Sequence, residues 1–372
     1  MRVKSCELIW LRTPFKQSFS HARATRHCSD KILVLLNTCE GVTGFGEILA
    51  RGYVSGETND SIFNKEGPGL ASEVVGRSFA SLETLLNFIK TAWFEELWGT
   101  ALLGGFELAL LNAYAQLQPV NINRLLGPRR VSPPGNCATL GFECADEQIR
   151  RYVIQAKLIG ATVIKVKVGL ANDIERLCCL NSALKGRMPI RLDANGSLSL
   201  EQAIEMLVHC QRLPIQSLEQ PFAADDPQLE EKLAELLKCT HVPLMADESL
   251  CTPTDLNRWL SSRVYQIFNI RVGKCGGLVG SIFMRDAALL AGLDIVAGTM
   301  VGESGVLNRA SELLLTYSES LPYVEGLGQH KSLLMEDPVA FTENKFSPLG
   351  GCFELREDAV ERQLIKRMKI LE

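Results

Sequence analysis

No apolar run in the chain approaches the ~20 residues that span a bilayer, which excludes a helical membrane protein. Basic blocks are missing too. With 39 Lys plus Arg against 43 Asp plus Glu the net charge is −4, which leaves no electrostatic footprint for a phosphate backbone. Nucleic acid and membrane are therefore not expected partners. The start, Met1-Arg2-Val3-Lys4, leads only to a short apolar patch, Leu8-Ile9-Trp10-Leu11, which Arg12 ends. That patch is too short for a signal-peptide core and no small-residue cleavage site follows, so a cytoplasmic location is expected. C-x-x-C is absent. The 12 cysteines, including the adjacent Cys178-Cys179, follow no metal-ligand spacing and read as reduced core thiols.

What remains is the balance of an ordinary globular protein, 46% apolar and 22% charged over 372 residues. That length suits two or three domains, or one large barrel with an appendage. The first ~130 residues read as mixed α and β: an apolar run at 31–38, a turn at Glu40-Gly41, a partner strand at 42–48, then helical spacing over 79–118. Pro128 and Pro133-Pro134-Gly135 mark a boundary.

Beyond it a rhythm sets in. Short β-like runs recur at 138–142, 163–168, 190–195, 216–221, 243–248, 266–272, 293–299 and 322–326, with helical patterns such as 200–211 and 229–238 between them. Each parallel return needs a crossover helix, so eight such units predict a closed (β/α) barrel over 131–330. An open doubly wound sheet would carry fewer strands and a glycine-rich first turn, which is not found. The rhythm fades after 330, and 331–372 is expected to pack back on the N-terminal part.

In a barrel the chemistry sits where strands end. The second run places Lys165 and Lys167 two residues apart, hence on one face, and two ammonium groups so close are expected to depress each other's pKa. The alternative is an exposed edge strand with solvated lysines, which fits poorly with the middle of a barrel. The third, fourth and fifth runs end in Asp193, Glu219 and Asp247-Glu248. One such carboxylate reads as a helix N-cap; three in register repel one another unless a cation joins them, and three hard oxygen ligands suit Mg2+. Lys274 follows the sixth run, across the barrel from the first two lysines; taken alone it reads equally as a phosphate-site or a solvated residue. Glu303 and Glu325 follow the seventh and eighth, each a substrate contact or a salt-bridge partner. A metal flanked by lysines implies removal of a proton α to a carboxylate on one face and its return on the other. With a leaving group present the same parts support elimination or cycloisomerisation.

The order Lys-x-Lys, Asp, Glu, Asp, Lys across successive strands resembles the enolase superfamily, and within it the muconate-lactonising-enzyme subgroup, dipeptide-epimerase-like. The resemblance implies a modified TIM (β/α) barrel with an N-terminal α+β capping domain over residues 1–130, the latter carrying Gly44-Phe45-Gly46-Glu47. It further implies Lys167 and Lys274 as opposed acid/base residues, Lys165 as neighbour of the first, and Asp193, Glu219 and Asp247 as Mg2+ ligands. Glu248 then supports the ligands from behind. The substrate is a small carboxylate, and barrels of this family assemble as homo-oligomers. The five histidines, His21, His27, His209, His241 and His330, include none after the sixth or seventh strand, so the histidine chemistry of mandelate-type members lacks its base.

Two cap segments are candidates for reading the substrate, 15–26 with Arg23 and Arg26, and 50–58 (ARGYVSGET), which resembles dipeptide-epimerase-like members. Many of those carry Asp-x-Asp on the eighth strand; here Val324-Glu325-Gly326 has one acid, and the arginines suit an acyl or dicarboxylate substrate equally well. Three readings stand: racemisation or epimerisation of an amino-acid derivative or dipeptide, cycloisomerisation or o-succinylbenzoate-type dehydration, and a catalytically silent binding or structural barrel. Concentrating such costly charges at one barrel mouth weighs against the third.

Overall fold

The computed structural model describes residues 1–21, 24–132, 134–142, 145–318, 321, 323–342, 349 and 351–372. Strands β1 (Val3–His21) and β2 (Ala24–Thr38) form a long antiparallel hairpin, and β3 (Thr43–Ile48) pairs with the far side of β2. The β2–β3 reversal is closed by Thr38 N donating to Val42 O at 2.9 Å. A C-terminal strand, Leu364–Leu371, pairs with the free edge of β1. Both faces of this sheet are covered. Leu8, Ile32, Val34 and Leu36 join the main core, while Ile9, Leu11, Leu33, Leu35 and Phe45 pack with Val306, Val339 and Val360. Double burial is why Ile32–Leu36, within 31–38, is an unbroken apolar run rather than an alternation.

Sequence pattern alone underestimates β1. Only Leu8–Leu11 stands out, yet the strand runs for 19 residues. Its charged positions are matched by neighbours: Arg12 Nε donates to Asp30 Oδ1 at 2.7 Å, and Glu7 accepts from Arg367. The described parts of the segment 15–26 belong to the outer portions of β1 and β2, with a register shift between Pro14 and Phe19. Arg23 lies outside the described residues.

Helix Thr100–Leu117 is buried over most of its length and crosses β3 at backbone contact. A Cβ on Gly46 would stand 1.8 Å from the Gly105 carbonyl oxygen, and one on Gly44 2.0 Å from that of Ala109. Backbone lies on both sides, so no side chain can move aside. Gly46→Ala is expected to destabilise the protein by about 3 kcal/mol or more, read from the denaturant midpoint. Gly52→Ala, with open space around the added methyl, is the control. Equal midpoints for the two variants would contradict this packing.

The strands β4 (Gly135–Leu140), β5 (Ala161–Lys167), β6 (Ile190–Asp193), β7 (Ile215–Glu219), β8 (Leu244–Ala246), β9 (Ile267–Ile270), β10 (Asp294–Ala297) and β11 (Tyr323–Glu325) close into one parallel barrel in chain order, β11 returning to β4. Each lies within or overlaps an expected β run, Pro322 of the eighth falling outside the described residues. Helices such as Leu200–His209 and Leu229–Cys239 make the crossovers. Ser199 starts the first of these with a capping box to Gln202. The fold is thus a modified TIM barrel with an N-terminal antiparallel-sheet cap. Most of the core lies between strands and helices. A separate small cluster of Met245, Ile267 and Val296, with Tyr323 against it, plugs the barrel interior. Toward the C-terminal strand ends the inward positions turn polar. Among the described residues no helix is long and apolar enough to cross a membrane, and every cysteine is a free thiol.

Candidate active site

Period two along β5 turns both Lys165 and Lys167 inward. Strand register then brings polar groups of the next strands to the same height. Lys167 pairs with Asp193, and Asp193 with Glu219, so one row crosses three adjacent strands. Asp247 comes directly after β8, and Lys274 lies in the turn between β9 and helix Gly277–Leu290. Strands β5 and β9 are four places apart in a ring of eight. Lys167 and Lys274 therefore come from opposite sides of the barrel, with the three acids on the strands between.

Contacts among these groups are dense. Lys165 is 3% exposed, and its Nζ lies 2.8 Å from Asp193 Oδ2, 2.8 Å from Glu219 Oε1 and 2.9 Å from Glu325 Oε2. Lys167 Nζ donates to Asp193 Oδ2 and to Asn195 Oδ1, both at 2.7 Å, and Asn195 Nδ2 passes the chain on to Glu248 Oε1 at 2.9 Å. Lys274 Nζ donates to the carbonyls of Leu250, 2.6 Å, and Asp247, 2.8 Å, and stands 3.7 Å from Asp247 Oδ1.

Burial works against charge on Lys165, but Asp193, Glu219 and Glu325 outweigh it and hold its pKa well above the ordinary lysine value. The depression expected for Lys165 is overridden, because three carboxylates face it. Asp193 is likewise opposed by burial and held below its usual range by Lys165 and Lys167. Glu219 goes the other way: burial and the Asp193 charge push it up to about 8. Asp247 is raised by burial in spite of Arg271.

Among the described residues no three acidic, histidine or cysteine side chains already surround one point, because Lys165 and Arg271 stand between the carboxylates. Yet Asp247 Oδ1 and Glu248 Oε2 are buried and accept no hydrogen bond, and Glu219 Oε2 accepts none although Lys165 is 2.8 Å away. Buried carboxylate oxygens that accept no hydrogen bond, gathered at the strand ends, fit a hard divalent cation such as Mg2+.

Sequence reasoning passed over Arg271, which bonds Asp247 Oδ2 and lies 3.3 Å from Glu219 Oε1, and Asn269, whose Nδ2 donates to Glu219 Oε1 at 2.9 Å. The signal was there: Asn269 on buried β9 and Arg271 just past its end stand two apart, the spacing that made Lys165 and Lys167 conspicuous. Glu325 and Glu303 were each read as a substrate contact or a salt-bridge partner, and Glu325 forms salt bridges. Glu325 is bound by Lys165 on one oxygen and Arg191 on the other, deep in the barrel. Glu303 is fully buried, accepts from Met300 N at 2.6 Å, and is pushed up to about 8 by burial. Neither lines the cavity over Lys167. That cavity, about 40 Å³, is walled by Arg26, Arg51 and Tyr53 of the cap and by Lys167, Glu248 and Arg271 of the barrel. A larger groove of about 750 Å³ between helix Gly305–Thr316 and strand Val339–Thr342 touches none of the lysines or metal-type acids. The cap is fastened beside the smaller cavity. Glu47 of β3 accepts from Ser304 N at 2.8 Å and Leu307 N at 3.1 Å, and buried Lys31 donates to Gly302 O at 2.7 Å.

A capped parallel barrel with opposed lysines and clustered acids at its C-terminal strand ends defines a barrel enzyme. Residues 145–358 match the family model described as enolase C-terminal domain-like, and the chain belongs to that family, in the enolase superfamily. It is similar to muconate cycloisomerase 1-2 of Acinetobacter lwoffii, 29% identical over 334 residues covering 86% of this chain and 83% of the relative. It is also similar to L-Ala-D/L-Glu epimerase of Bacillus subtilis, 26% identical over 309 residues and 81% of each chain. The solved dipeptide epimerase of Cytophaga hutchinsonii, complexed with Mg and the dipeptide D-Ala-L-Val, shares the fold at a TM-score of 0.83, with 23% identity and full coverage of both chains.

Proposed function

We propose that this protein is a Mg2+-dependent isomerase that removes the proton α to a substrate carboxylate and returns one to the opposite face, racemising or epimerising an amino-acid derivative or dipeptide. The observation that carries this reading is the placement of Lys167 and Lys274 on opposite sides of the barrel with Asp193, Glu219 and Asp247 on the strands between. In this reading the three acids hold the ion and Glu248 supports them from behind. The bound ion supplies the positive charge that holds the substrate carboxylate and stabilises the charge developing as the α-proton leaves.

The chain's own groups do the rest. Lys167 takes or gives the proton at Nζ on one face, oriented by Asn195, whose amide is itself tethered to Glu248. Lys274 serves the other face, aimed by the carbonyls of Asp247 and Leu250. Lys165 stays charged among Asp193, Glu219 and Glu325 and acts as a fixed counter-ion. The cap walls the cavity and keeps water out. The epimerase relatives, and the Mg and dipeptide of the Cytophaga enzyme, support this reading. A cycloisomerase reading is favoured by one observation: Glu325 is already used by Lys165 and Arg191, so the eighth strand offers no free acid to grip a dipeptide's ammonium, and a relative is a muconate cycloisomerase.

The test is α-proton exchange in D2O with Mg2+, read by mass spectrometry on dipeptides, N-acyl amino acids, muconate and the o-succinylbenzoate precursor. Deuterium gain with inversion supports the proposal; a product of different connectivity moves the assignment to the cycloisomerase or dehydratase branch. No reaction with any of these favours the silent barrel. Arg26 stands at the cavity wall with its guanidinium 5.6 Å from the Tyr53 ring centroid. Arg26→Ala is expected to raise KM about tenfold while changing kcat less than about threefold, the pattern of lost uniform binding. A kcat loss at constant KM would remove Arg26 from substrate recognition.

A further inference from the structure

Lys167 and Lys274 are held in different ways. Lys167 closes β5, where the strand ladder fixes its backbone. Lys274 lies four residues past the end of β9, in the turn 271–276 that leads into helix Gly277–Leu290. Within the turn, Lys274 N and Cys275 N both donate to Arg271 O at 3.0 Å, and Gly277 N donates to Val272 O at 3.1 Å. The helix starts from Gly276, which has no side chain to satisfy the free amides of the first turn.

Helices of the N-terminal part supply what the turn lacks. Glu107, fully buried on helix Thr100–Leu117, accepts from Leu278 N at 3.0 Å on one oxygen and from Val279 N at 2.8 Å on the other. Trp93, near the end of helix Leu82–Phe94, donates from Nε1 to Cys275 O at 3.1 Å. The approach is close. A Cβ on Gly277 would stand 2.1 Å from Glu107 Oε2, one on Gly276 2.5 Å from Trp93 Cδ1, and one on Gly104 2.8 Å from Gly277 N. Gly276 and Gly277 also have φ of 80° and 89°, the left-handed region open to glycine. Burial pushes the Glu107 carboxyl up to about 8, and only the two amides draw it back. A buried acid is costly, and both oxygens of this one are spent on the exit of the Lys274 turn.

We propose that Glu107 and Trp93 are positioning residues for Lys274, clamping from the N-terminal helices the turn that aims its ammonium. This rests on the reading of Lys167 and Lys274 as the acid/base pair. Proton transfer on one face of the substrate then depends on how the N-terminal helices pack. On the other face it depends on the barrel's own strand ladder.

The test is Glu107→Gln, which keeps the shape but turns an amide donor toward one of the two backbone N–H groups. It is run at about pH 9, where Glu107 of the wild type is ionised. The first readout is deuterium wash-in and inversion in D2O, with L-Ala-L-Glu, L-Ala-D-Glu and the two enantiomers of N-succinylvaline offered separately. Inversion is expected to fall on the order of 30-fold in both directions, the scale of a misplaced reacting group. Wash-in should fall as far only from the stereoisomer that Lys274→Ala leaves unexchanged, and stay within about twofold from the other. A merely structural loss lowers both alike. The second readout is backbone amide exchange on peptic peptides: residues 271–279 are expected to exchange at least about tenfold faster, and residues 161–167 at an unchanged rate. Trp93→Phe removes the indole N–H from Cys275 O and keeps a ring against Phe283. It should act on the same face by about fivefold, the worth of one hydrogen bond, and keeps the test open if Glu107→Gln does not fold. Equal loss from both stereoisomers, or unchanged protection of 271–279, overturns the clamp and leaves the acid/base reading standing. A loosened turn in a protein whose wild type exchanges no α-proton supports the clamp and counts against that reading.

Discussion

Alanine in place of Lys167 or Lys274 is expected to abolish inversion, lowering kcat by at least about 10³-fold in each case, within the range a positioned acid/base supplies. The two losses should differ in kind. With one lysine left, the enzyme still faces the α-proton of one stereoisomer and can return a proton only to the face it came from. One variant should therefore exchange α-deuterium into one stereoisomer without inverting it, and the other variant into its mirror partner. The measurement is deuterium incorporation and optical purity, with each stereoisomer offered separately. Full activity in either variant, or exchange of the same stereoisomer by both, refutes the two-base arrangement. Folding is not the hidden variable. Without Lys167, Asp193 keeps Lys165 at 2.8 Å, so its buried charge stays compensated. Losing Lys274 strips donors from the carbonyls of Asp247 and Leu250, a cost of about 1–3 kcal/mol that a denaturation curve checks. Lys274→Met, which keeps the apolar stem, gives a second route to the same result.

The barrel was legible because its signal is repeated. Each of eight runs is short and apolar, each is followed by a helical pattern, and one misplaced boundary does not break the rhythm. The row Lys167–Asp193–Glu219 was legible for a related reason: polar groups closing apolar strands at matching positions become neighbours once parallel register is assumed, and the observed register makes them so. Position along a strand says nothing about partners, however. Lys165 was expected to be weakened by Lys167, and it is instead dominated by Asp193, Glu219 and Glu325, the last contributed by a strand 160 residues away in sequence. For Glu325 the sequence left substrate contact and salt bridge both open, since nothing local reveals that Arg191 and Lys165 hold it. The long β1 escaped because cross-strand pairs such as Arg12–Asp30 let charged residues sit in a strand and blur its apolar alternation.

Removing divalent metal with EDTA is expected to abolish exchange, and Mg2+ to restore it. The same ion should stabilise the fold. A ligand that binds only the native state adds about 2.7 kcal/mol at 100 times its dissociation constant, which for a protein of this size is a rise of several degrees in Tm. Asp247→Asn keeps the shape but removes the charge of the acid whose Oδ1 has no hydrogen-bond partner, and it should lose both the activity and the Mg2+-induced rise. Lys167→Ala should lose inversion and keep the rise, because Lys167 is assigned to the proton and not to the ion. That contrast separates the two halves of the proposed site in one pair of thermal-shift curves. Exchange that survives EDTA removes the metal from the reaction. A normal Mg2+ response in Asp247→Asn removes Asp247 from the ion's ligands, even with catalysis gone. The competition is physical: Arg271 and Lys165 hold the carboxylates that the ion needs, so its binding must exceed what those contacts already give. Arg271→Met, which withdraws one competitor, should therefore leave the metal-free protein less stable and enlarge the rise in Tm that Mg2+ produces.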